Sequence, residues 1–98
     1  MSELTIFDIV DELQMKAAKV LKVLGDQNRV KIIELLRNGE LCQCEIIPLI
    51  GQSQPTVSRH LNLLEEHGIL ESRKDGVKVL YQIRDPRILE ILKIASTL

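Results

Sequence analysis

Apolar positions along the chain recur at helical spacing in five places and at two-residue spacing in one. Residues 5–24 contain neither Gly nor Pro, and Ile6, Ile9, Val10, Leu13, Ala17, Val20, Leu21 and Leu24 recur mostly at steps of three and four. That spacing predicts a helix, with Gly25 as the residue that ends it. Asp26 or Asn28 can cap a second helix over about 28–38, with Val30, Ile33 and Leu36 as its stripe. Asn38-Gly39 closes it. A third, shorter helix is predicted over 42–50, although Pro48 removes one hydrogen bond of its first turn. Gly51 permits a turn. Ser53 caps a fourth helix that carries Pro55 in its first turn and runs to His67.

The period then changes to two. Val77, Val79, Tyr81 and Ile83 alternate with Lys78, Leu80 and Gln82. Asp75-Gly76 is a strong two-residue hairpin signal. A turn centred there sets Ser72 opposite Val79, Leu70 opposite Tyr81, and Arg73 opposite Lys78. Asp85 caps a last helix over 86–97, whose Ile88, Leu89, Ile91, Leu92, Ile94 and Ala95 cover much of its circumference. The expected fold is mainly α with a β-hairpin wing, four helices, a hairpin and a helix in that order. This is a winged helix-turn-helix with the helix-turn-helix at 42–67 and the wing at 69–84.

Composition narrows the picture. Ninety-eight residues make one domain, and 45% of them are apolar. Such a supply is generous for a small monomer and points to burial of the terminal helices, 5–24 and 86–97, against a second copy. No apolar run is long enough to span a bilayer, so no membrane partner is expected. The start, MSELTIFDIV, lacks a basic leader, and two Cys build no disulfide framework. Both facts place the chain in a reducing cytoplasm. No Gly-rich phosphate loop or nucleophile–base constellation is evident, which argues against an enzyme. The net charge of −1 gives no global support to a nucleic-acid partner, so that reading must rest on a local surface.

The fourth helix supplies one. At about 100° per residue, Val57, Leu61 and Leu64 lie together and face the core. Arg59 lies nearly opposite, flanked by Pro55 and Asn62, with Gln54 and Ser58 to one side and Thr56 to the other. Gln pairs with adenine and Arg with guanine bidentately, and Ser or Thr bonds bases or phosphates. An ordinary solvated helix face has the same pattern. On the hairpin, Arg73 opposite Lys78, with Lys74 nearby, is unfavourable unless an anion such as phosphate sits beside them. A charged edge that prevents aggregation is the alternative there. A winged-helix module for protein binding would show an apolar or acidic face instead.

The runs LKVLGDQNRVKIIELLRNGELCQCEI, SQPTVSRHLNLLEEHGIL and RKDGVKVLYQI together resemble the ArsR/SmtB family of metal-responsive repressors, over about residues 17–84. The resemblance implies a homodimeric repressor that binds an inverted repeat in double-stranded operator DNA and dimerises through its terminal helices. By motif it puts Gln54, Pro55, Ser58 and Arg59 at the DNA-contacting positions, with Thr56 and His60 nearby. Arg73, Lys74 and Lys78 fall on the wing.

The same resemblance suggests an effector site. Glu40-Leu41-Cys42-Gln43-Cys44-Glu45 is similar to the family's metal-binding box, so Cys42 and Cys44 are the candidate metal ligands. In arsenic and antimony sensors a third Cys follows three residues later, where this chain has Ile47. Cadmium and lead relatives take further Cys from near the N-terminus, but residues 1–20 hold neither Cys nor His. The zinc sites on the last helix use His, and 86–98 have none. Two thiols remain, which suit As(III), Sb(III), Cd(II) or Cu(I). On an intact helix, residues two apart point about 200° from each other, so chelation requires an irregular first turn. Thiol redox sensing and a purely structural role for the cysteines stay open. A helix N-terminus favours the thiolate, whereas Glu40 and Glu45 oppose it.

Overall fold

A computed structural model describes residues 5–98. The first helix, α1, spans Ile6–Leu24 and opens on a capping box. The Thr5 hydroxyl accepts the Asp8 N–H at 3.2 Å, and the Asp8 carboxylate accepts the Thr5 N–H at 3.0 Å. Only its last turn is buried, through Val23 and Leu24. Gly25 ends it at φ −79°, so no left-handed residue is needed there. Asp26 caps α2, Gln27–Leu35, by accepting the Asn28 and Arg29 N–H groups at 2.9 and 3.2 Å. The helix stops three residues short of the expected end, and turns carry the chain to Gly39, at φ 140°.

A short strand follows that the periodicity did not announce. β1, Leu41–Cys42, pairs antiparallel with the second hairpin strand. Cys42 therefore lies outside the third helix, not in its first turn. That helix, α3, spans Gln43–Ile50, and Gly51 ends it in the left-handed region, at φ 74°. α4, Gln54–Glu66, carries the Ser53 cap and Pro55 in its first turn. Ile32 and Ile33 of α2, Ile46 of α3 and Val57, Leu61 and Leu64 of α4 are fully enclosed, and they form the centre of one core.

The hairpin comprises β2, Leu70–Asp75, and β3, Lys78–Ile83, and the sheet order is β1-β3-β2. Its register differs from the expected one by two residues. Asp75 stands opposite Lys78, Arg73 opposite Leu80, and Ser72 opposite Tyr81. The turn is centred on Gly76-Val77, with positive φ at Gly76 alone. Glycine at the first central position is what a type II′ turn requires. This register sets opposite charges across the strands at 75 and 78 and avoids the like-charge pair of Arg73 and Lys78. The last helix, α5, covers Arg87–Ser96, with Ile88 and Leu92 turned inward. It starts one residue later than expected, with Pro86 rather than Asp85 at the cap position and no side-chain cap, although Asp85 accepts the Arg87 N–H at 3.0 Å. The architecture is thus a winged helix-turn-helix.

Candidate nucleic-acid interface

The α4 face splits as the helical geometry demands. Gln54, Pro55 and Arg59 are exposed, Thr56 and Ser58 are half-buried, and Val57, Leu61 and Leu64 point inward. The Ser53 hydroxyl donates to the Thr56 hydroxyl at 2.9 Å, which ties that side chain to the helix cap. The Ser58 hydroxyl accepts from the Gln43 side-chain amide of α3. An exposed Arg with an amide and two hydroxyls at one helix end can bond base edges and phosphates together.

His60 differs from its neighbours. It is only 6% exposed and faces α2, with Nδ1 3.3 Å from the Arg29 guanidinium. Burial pushes the imidazole below its usual pKa, and the Arg29 and Arg59 charges act in the same direction, against Asp26. Arg29 also donates to the Val23 carbonyl at 2.5 Å. His60 thereby belongs to the joint between α1, α2 and α4, and its ring is turned away from the exposed face.

On the wing, Arg73 donates twice to the Glu40 carboxylate, at 3.0 and 2.5 Å. The Arg73 contact holds Glu40 below the usual carboxylate range. Arg73 thus has an anionic partner within the chain, and the phosphate argument built on its facing Lys78 no longer applies. Lys74 and Lys78 are exposed and, with Arg59, form no ion pair among the described residues. Three cations remain directed to solvent across α4 and the wing.

Cys42 and Cys44 meet beside this surface. Cys42 has extended backbone, φ −68° and ψ 146°, and occupies the cap position of α3. Its sulfur accepts the Cys44 N–H at 3.1 Å, and Glu45 accepts the Cys42 N–H at 3.0 Å. The Cα atoms are 5.1 Å apart and the two sulfurs are joined as a disulfide. The 200° divergence expected for two helical residues does not arise, because only Cys44 is helical. No cluster of three or more His, Cys, Asp or Glu suited to a metal occurs among the described residues. The groove beside the two cysteines is lined by Gln54 of α4 and by Val77, Lys78 and Val79 of the wing. Sequence reasoning missed Gln43 and the Glu40–Arg73 pair. Gln43 lies between two conspicuous cysteines, and only the tertiary fold sets it against Ser58.

Among the described residues no helix is long and apolar enough to cross a membrane. Residues 26–72 match the family model described as bacterial regulatory protein, arsR family. An uncharacterized HTH-type transcriptional regulator of Methanocaldococcus jannaschii is 44% identical over 84 residues, 85% of this chain and 94% of that protein. A homolog of the cadmium resistance transcriptional regulatory protein CadC from Staphylococcus aureus is 39% identical over 89 residues, 90% of this chain and 74% of the relative. In three dimensions, the chain resembles the homodimeric winged helix-turn-helix DNA-binding domain of a possible ArsR-family regulator from Mycobacterium bovis. The TM-score is 0.80 at 25% identity, covering 99% of this chain and 88% of the other. The chain belongs to the arsR family and is a DNA-binding transcriptional regulator, not an enzyme.

Proposed function

We propose that this regulator is a homodimeric repressor that binds an inverted-repeat operator and is released by a thiophilic metal(loid) held at Cys42 and Cys44. Gln54, Pro55, Thr56, Ser58 and Arg59 enter the major groove, and Lys74 and Lys78 contact phosphates. The single domain contributes its helix-turn-helix and wing to DNA and its terminal helices to the partner copy. Exposure of Ile6, Phe7, Leu13 and Ile94 supports the last point, since these form an apolar surface on the two terminal helices.

The observation that carries the effector reading is the position of Cys42 at the cap of α3. Its extended backbone turns the sulfur back onto Cys44, which supports a reduced pair able to offer both sulfurs to one ion. Two soft donors suit As(III), Sb(III), Cd(II) or Cu(I), with small external ligands completing the shell where needed. A coupling of about 1–3 kcal/mol between the sites gives a 5- to 150-fold loss of DNA affinity. The test is titration of each ion into a complex of the reduced protein with its own promoter fragment. Release by one ion from wild type, and not from Cys42→Ser/Cys44→Ser protein, is expected. Equal release from both proteins would overturn the reading.

The joined sulfurs favour a second reading, thiol redox sensing. Two thiols become one disulfide, giving up two protons and two electrons to an oxidant such as a peroxide. Release by peroxide in the absence of metal, reversed by dithiothreitol, would identify it.

A further inference from the structure

We infer that Gln43 transmits the state of the Cys42/Cys44 pair to the DNA-reading helix through its hydrogen bond to Ser58. The inference rests on the reading that this pair is the effector site. Gln43 is the first residue of α3 and the one residue between the two cysteines. Its side-chain amide donates to the Ser58 hydroxyl, half-buried on α4. Ser58 lies one turn beyond Gln54 and next to Arg59 on that helix. A single side chain therefore spans from the sulfur pair to the proposed base-reading residues.

Ring closure explains why this side chain responds. Any bond that links the two sulfurs, directly or through an ion, closes a ring containing the whole backbone of Gln43. Opening or resizing that ring rotates the Gln43 peptide units and so moves the root of the side chain. A hydrogen bond of this kind holds over only a few tenths of an ångström about 2.9 Å. A modest shift at the root therefore breaks it or pulls Ser58 with it. Glu40 and Cys42 strengthen the linkage on the other side. Glu40 holds Arg73, and Cys42 pairs with Leu80 of β3. The segment from Glu40 to Cys44 is thus fastened to the wing at one end and to α4 at the other.

The experiment compares the affinity of the full-length protein for a duplex carrying its own promoter in three states. These are reduced, loaded with Cd(II), and oxidised to the Cys42–Cys44 disulfide. Wild type, Gln43→Leu and Gln43→Glu are measured in parallel. Thiolate-to-cadmium absorption in the ultraviolet reports loading, and far-ultraviolet circular dichroism reports folding. Gln43→Leu is expected to fold, load Cd(II) and bind the reduced-state duplex within about threefold of wild type, a polar contact near the surface being lost. Its ratio of affinities between reduced and loaded or oxidised states collapses to less than about threefold, against 5- to 150-fold in wild type. Gln43→Glu, which can accept from the Ser58 hydroxyl, restores part of the ratio. A Gln43→Leu protein that keeps the full wild-type ratio overturns the role of Gln43 and leaves the effector site standing. A wild type whose affinity is the same in all three states overturns the effector site and leaves Gln43 nothing to transmit.

Discussion

The Arg29 guanidinium stands 3.3 Å from Nδ1 of His60 in the joint between α2 and α4. Arginine is a donor only, so Nδ1 accepts and the ring proton sits on Nε2. This contact favours the neutral imidazole, since protonation would set two donors and two positive charges against each other. The buried ring has a pKa below its usual 6.5. The unfolded chain therefore binds the proton more readily, and stability rises with pH up to about 6.5 and is flat beyond. Thermal melts should show a Tm that falls as pH drops below 6.5. His60→Gln, which keeps an acceptor without a titrating ring, should flatten that slope. An unchanged slope in the variant would assign the effect elsewhere.

Arg59 and Lys74 should weaken DNA binding in different ways. Arg59→Ala is expected to cost about 1–3 kcal/mol on the promoter duplex and less on a scrambled duplex, as loss of a base-reading contact does. Lys74→Ala should weaken both duplexes alike and reduce the slope of log affinity against log salt by about 1. Mobility-shift titrations across a salt series separate the two.

The Arg73–Glu40 pair predicts a quieter phenotype for Arg73 than for Lys74. Its guanidinium is already engaged by a carboxylate. Arg73→Gln should change the salt slope by less than Lys74→Ala does. A full unit of slope lost on Arg73→Gln would show that Glu40 yields it to phosphate on binding.

Ile46 is fully enclosed two residues beyond Cys44. Ile46→Val should destabilise by about 0.5–1.5 kcal/mol and Ile46→Ala by about 2–5 kcal/mol. For a domain holding about 5–15 kcal/mol in total, the alanine variant becomes marginal at 37 °C. Urea unfolding followed by circular dichroism gives the midpoint shift, with an unchanged m-value if only packing is lost.

Leu13 lies 62% exposed in the middle of α1. Leu13→Asp should spare the core, of which Leu13 is no part among the described residues, and should abolish the proposed dimer in sedimentation velocity. The variant should also lose high-affinity promoter binding, since one reading head then contacts one half-site.

α1 and α4 were legible because one signal, apolar spacing, repeats over three or more turns. Val57, Leu61 and Leu64 were placed inward from the sequence, and all three are fully enclosed. The hairpin was legible as a hairpin but not in register. Asp75-Gly76 and Gly76-Val77 both centre two-residue turns, and the choice depends on which strand partners meet. The observed register sets Asp75 opposite Lys78, a cross-strand pairing of opposite charge that favours it. β1 was not legible because two residues carry no period. Its existence depends on Tyr81 and Leu80, some forty residues away. The convergence of the cysteines follows from that strand, since pairing with β3 keeps Cys42 extended. Local reasoning, which put both cysteines in one helix, had no access to it.

The exposed part of α1 has one more consequence. The Cα radius of gyration is 15.8 Å, where a compact chain of this length has about 13 Å. Most of the stability of a helix in a protein comes from packing of its apolar face, and most of α1 has no such cover among the described residues. If a second copy covers it, association contributes to its folding, and mass action governs both. The apparent melting temperature would then climb with protein concentration. In the regime where monomer predominates, halving the amount of chain would cut the dimer fourfold, so promoter occupancy would respond to dosage more steeply than one-to-one binding allows.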